Sequence, residues 1–109
     1  MGDNQQKMAD RFRQKVVLHC GSSKRSGLDE LVERFLLDGV KYVGVVGEEC
    51  ALVEDLIDEI VVGDGADESR FILTASHPNQ SIEEAVAFAE SLSDDYRGEV
   101  QVVELPTFA

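Results

Sequence analysis

Cys20 closes a short apolar run, Val16-Val17-Leu18, and opens a loop of small and basic residues, Gly21-Ser22-Ser23-Lys24-Arg25-Ser26-Gly27. Cationic neighbours and inward-pointing amides favour the ionised form of a thiol, so Cys20 can be an activated thiolate. The same loop can instead hold a phosphate or sulfate, through the hydroxyls of Ser22, Ser23 and Ser26, the Lys24 ammonium, the Arg25 guanidinium and the amides of the helix start beyond. His77, just before Pro78, is a candidate base or proton donor, with Ser76 beside it. Plainer readings stand next to these. Cysteine is often simply buried, and a histidine before proline often bonds only to backbone. His19 alternates away from Cys20 and is expected to pack in the core or under a helix. Cys50 can approach Cys20 if their strands are neighbours, either as a redox pair or as a second buried thiol.

Four extended and three helical segments must position these groups. Residues 15–20, 40–46, 70–76 and 99–105 are apolar, β-branched runs and predict strands. Leu28, Leu31, Val32, Phe35 and Leu36 recur at helical spacing, with Ser26 as a candidate cap and Gly39 as a stop. Residues 50–62 place Leu52, Val53, Leu56, Ile57, Ile60 and Val61 in one stripe, opposite Glu54, Asp55, Asp58 and Glu59. Ser81 with Glu84 is a capping box for a third helix. The order β-α-β-α-β-α-β, with connections too long for hairpins, predicts a three-layer α/β domain of Rossmann-like or flavodoxin-like type. Its four strands are parallel and its helices cover both faces. The favoured strand order is 2-1-3-4, with 3-2-1-4 as rival. In the favoured order the loops after Cys20 and Ser76 face each other across a crevice, bringing Ser22, Ser23, Lys24 and Arg25 near Ser76 and His77.

The loop Cys20-Gly-Ser-Ser-Lys-Arg25-Ser26 resembles the Cys-x4-Arg-Ser active loop of single-domain rhodanese-type sulfurtransferases, in which the cysteine carries a persulfide. Residues 36–43, Leu-Leu-Asp-Gly-Val-Lys-Tyr-Val, are similar to the helix end and next strand of that family. The loop also resembles the His-Cys-x5-Arg-Ser/Thr loop of cysteine phosphatases, being one residue shorter. Either resemblance implies Cys20 as nucleophile and Arg25 as anion holder. The likeness spans about thirty residues, and only nineteen residues precede Cys20, where a rhodanese has a long upstream half.

A chain of 109 residues with a formal charge of −12 is one acidic domain. That charge argues against nucleic acid, whose phosphates need a basic surface. Residues 1–28 carry six bases against two acids, and residues 29–109 four bases against twenty acids. The expected partners are therefore a protein, met through the acidic helices or the basic end, and a small anionic ligand. Residues 1–14 read as a flexible arm and residues 15–109 as a single α/β domain. No run reaches membrane-spanning length, and residues 1–14 lack a signal-peptide core, so a cytoplasmic location is the expectation. With His19 and His77 as its only histidines, the chain has no metal-ligand spacing, and no cofactor is expected. A complete set of acid, base and orienting groups is missing from the sequence. The favoured function is therefore a non-catalytic binding or regulatory module; the alternative is a small sulfur- or phosphoryl-transfer enzyme using Cys20, Arg25 and His77.

Overall fold

The computed structural model describes residues 11–21 and 27–105. Strands β1 (Lys15–Cys20) and β2 (Tyr42–Gly47) are the two most continuously apolar runs, and both lie in the middle of one four-stranded sheet. β3 (Leu73–His77) and β4 (Val100–Leu105) form its edges, and every pairing is parallel. The strand order is 3-2-1-4, the rival of the order favoured from sequence. Burial explains the outcome. A central strand must be apolar on both faces, whereas Thr74 and Ser76 on β3, and Gln101 and Glu104 on β4, suit edges that keep some contact with water.

Right-handed crossovers then assign the layers. β1-α1-β2 and β2-α2-β3 step in the same direction, so α1 (Leu28–Asp38) and α2 (Cys50–Val62) cover one face. The third crossover returns past β2 and β1, placing α3 (Ile82–Ser91) on the other face, before a 3-10 turn (Asp94–Tyr96) leads to β4. The larger core joins Val16, Leu18, Val43 and Val45 of the sheet to Val32, Phe35 and Ile57 of the two helices. The smaller core sets Val17, Tyr42 and Val46 against Ala85 and Ala89 of α3.

The helix ends are solved in different ways. α3 has the expected capping box: Glu84 N–H donates to Ser81 Oγ (3.1 Å) and Ser81 N–H donates to Glu84 Oε1 (2.8 Å). α1 instead starts from Gly27, at φ +81°, without a side-chain cap; Ser26, the expected cap, lies outside the described residues. A side-chain cap contributes about 1 kcal/mol, whereas burying Phe35 alone is worth roughly 2–3 kcal/mol, so packing is enough to hold α1. The described end of the N-terminal segment packs on the same helix. Phe12 meets Phe35 edge-to-face at 4.8 Å, and its N–H donates to Asp38 Oδ2 (2.9 Å).

Arg70 lies just ahead of β3, which begins three residues later than the sequence reading placed it. Its guanidinium donates to the carbonyls of Ile60 (2.8 Å) and Val61 (2.7 Å), the unpaired end of α2. It also makes a two-pronged ion pair with Glu33 on α1, at 3.0 and 2.8 Å. One side chain thus ties two helices to the connection between α2 and β3. The hydrogen bond from Arg70, reinforced by its charge, holds the Glu33 carboxyl below its ordinary value. A lowered folded-state pKa contributes stability that is present above the unfolded value, about 4.3, and lost as pH falls through the folded one. Wild type is therefore expected to exceed Glu33→Gln in urea midpoint at pH 7, and the gap to close below about pH 4; a gap that persists at pH 2.5 contradicts this linkage.

Candidate functional site

In parallel α/β sheets ligands bind beyond the carboxyl ends of the strands, where the strand order reverses. Here that point lies between β1 and β4, not between β1 and β3. Cys20 and Leu105 are register partners there, and Gly21 N–H donates to the Leu105 carbonyl (3.3 Å). The candidate anion-binding residues Ser22, Ser23, Lys24, Arg25 and Ser26 lie outside the described residues.

Cys20 is 1% exposed and points into the larger core, the cluster that also holds Cys50. Both cysteines are thiols, with no disulfide. The chain leaving β2 closes over the strand end. Gly47 has φ +109°, and a Cβ there would lie 2.4 Å from the Cys20 carbonyl oxygen. Glu48 N–H donates to that same oxygen (3.0 Å). Only glycine permits this approach.

His19 lies on the opposite face of β1 from Cys20, as the alternation requires, but is partly exposed and not packed in the core or under a helix. Its Nδ1 lies 2.8 Å from Glu104 Oε1, on the register partner in β4. Sequence reasoning missed this pair. The alternation that turned His19 away from Cys20 also selects Glu104, once β1 and β4 are known to be neighbours in register.

The second set of functional groups surrounds His77, on the outer strand. His77 is 8% exposed. Its Nδ1 donates to Gln80 Oε1 (2.8 Å), and its Nε2 lies at a longer 3.4 Å from the Tyr42 hydroxyl. Pro78 and Asn79, the latter at φ +65°, make the turn that returns Gln80 to His77, with Gln80 N–H donating to the His77 carbonyl (3.3 Å). The Phe88 ring packs edge-on against the imidazole at 5.3 Å. An open cleft of about 510 Å³ lies against this group, lined by Ala75, Ser76, His77, Pro78, Gln80, Glu84 and Phe88. The Tyr42 hydroxyl reaches His77 because β2 has no side chain at Gly44: a Cβ there would lie 2.6 Å from the Tyr42 oxygen. Lys15 is buried under the far end of α3, where its Nζ donates to the Ala89 carbonyl (2.7 Å).

The expected meeting of Cys20 with Ser76 and His77 does not occur. β2 separates their strands, a spacing of about 10 Å across two strand intervals. Cys20 also faces α1 and α2, whereas His77 faces α3. The crevice expected between the loops after β1 and β3 is a consequence of the 2-1-3-4 order and is lost with it. Cys20 and His77 therefore do not form one nucleophile–base pair, and Ser76 belongs to the His77 cleft.

Burial, reinforced by the charge of Glu54, pushes the Tyr42 phenol up to about 12. The unfolded chain ionises near 10, so stability is intact below that value and falls as pH rises toward 12. Wild type is expected to lose on the order of 2–3 kcal/mol more than Tyr42→Phe between pH 9.5 and about 12 by urea denaturation; parallel curves contradict the assignment. At the other end of β2, Gly47→Ala must move backbone as well as adopt a strained φ, and is expected to cost about 2 kcal/mol or more in the same measurement at pH 7, with a neutral effect as the contrary result.

No curated protein and no solved structure matches the chain. Residues 3–105 do match a family model described as a domain of unknown function, DUF7684. That span includes all four strands, the three helices, the Cys20 loop and the His77 cleft, so the chain belongs to the DUF7684 family.

Proposed function

We propose that this domain is a non-catalytic module that binds another protein. The observation that carries the reading is the position of the thiol that opens the basic loop: Cys20 is 1% exposed, with β2 and the thickness of the sheet between it and His77. A nucleophilic cysteine needs access to substrate, and a thiol 1% exposed offers little. The surface offers features that suit recognition instead. The chain carries 22 acids against 10 bases, and Phe71 and Phe88 present large apolar rings to solvent around β3.

Site-resolved alkylation of the native chain tests the reading. Iodoacetamide at pH 7 is expected to modify Cys20 at least about 100-fold more slowly than it does in the urea-unfolded chain. Sulfur transfer from thiosulfate and hydrolysis of a phosphomonoester are expected to be no faster than with Cys20→Ser. Rapid modification of Cys20 near pH 6, slowed by phosphate or thiosulfate, overturns the module reading in favour of an enzyme built on Cys20 and Arg25.

A further inference from the structure

We propose that the open edge of β3 receives an extended segment of another protein in which basic and apolar side chains alternate. This rests on the reading of the domain as a protein-binding module and gives the chemistry of its partner. Among the described residues β3 pairs with β2 alone. Leu73 N–H donates to the Lys41 carbonyl (3.0 Å), so the main-chain groups of residues 73, 75 and 77 turn toward β2. By the two-residue alternation, the N–H and C=O groups of Thr74 and Ser76 turn outward. Natural edges discourage pairing with a lysine, a proline or a bulge, and Leu73-Thr-Ala-Ser-His77 contains neither lysine nor proline and keeps an unbroken register with β2. Strand addition to such an edge draws affinity from main-chain hydrogen bonds and specificity from alternate side chains.

The two sides of that edge differ in chemistry. Toward α2, the Thr74 hydroxyl lies 3.0 Å from Glu54 Oε2 and 2.7 Å from Asp58 Oδ1. One hydroxyl proton serves two carboxylates, so this side stays strongly negative and is complementary to an ammonium or guanidinium. Toward α3, Ala75, Pro78 and Phe88 line the cleft, and Phe88 is 46% exposed. Side chains of an added strand alternate between these two sides. Those turned toward α2 are therefore Lys or Arg, and those turned toward α3 are aliphatic or aromatic.

Titration of the full ¹⁵N-labelled chain with the peptide Lys-Val-Lys-Val-Lys-Val-Lys tests this. The amides of Thr74 and Ser76 are expected to gain protection from hydrogen exchange, and affinity to fall about tenfold as salt rises from about 50 to about 200 mM. A Glu-Val counterpart, and the Lys-Val peptide with its central valine replaced by proline, are expected not to bind. Glu54→Gln with Asp58→Asn should weaken binding about tenfold. Ser76→Pro, which removes an outward N–H at an edge position, should abolish it. If Ser76→Pro does not fold, the paired carboxylate variant decides. Equal binding of the acidic peptide, protection confined to other elements, or a homodimer formed through β3 overturns the proposal. Absence of binding with a slowly alkylating Cys20 removes the edge proposal and leaves the module reading, whereas a reactive, anion-protected Cys20 removes the module reading itself.

Discussion

From Lys15 to Leu18, β1 has no side chain in contact with bulk water, and that dryness organises the rest of the domain. A strand sealed on both faces needs a paired neighbour on each side and a helical layer above and below. β2 and β4 supply the neighbours, α1 and α2 one layer, and α3 the other. The polar exception, Lys15, fits because its ammonium reaches the carbonyl end of α3, where a cation opposes the helix dipole. The carboxyl end of the same strand is sealed by Gly47, so Cys20 becomes part of the core and not the floor of a pocket.

Much of this architecture is legible in the residues themselves. Ten of the eleven residues of α1 follow Leu28 without a helix breaker, and Gly39 stops the helix in the left-handed conformation expected of it. α2 runs from Cys50 to Val62, as its apolar stripe requires, and the Ser81–Glu84 box forms as read. These features are local: propensity and periodicity act within one segment. Strand order is not local, because it depends on which apolar runs compete best for the middle. Thr74 and Ser76 on β3 carried that information as much as the clean runs of β1 and β2 did, yet periodicity alone gives them no weight.

The candidate site was less legible for the same reason. Its proposed members came from two loops that only the wrong strand order brings together, and residues 22–26 lie outside the described residues. The groups that do meet are joined by register or by side-chain reach across the sheet. His19 finds Glu104 through the β1–β4 register, and Tyr42 reaches His77 along a strand cleared by Gly44. Neither pair has a sequence motif. Each depends on a glycine gap or a strand neighbour that becomes visible only in the folded chain.

The pairing of β1 with β4 also governs how the chain can fold. His19 and Glu104, opposite each other in the finished sheet, are 85 positions apart. Closing so distant a contact is entropically slow, and a chain emerging from the ribosome holds a complete β1-α1-β2 unit long before β4 arrives. During that interval one edge of this buried strand is unpaired and open to association with other chains. The last strand to be made is thus the one that closes the sheet over β1.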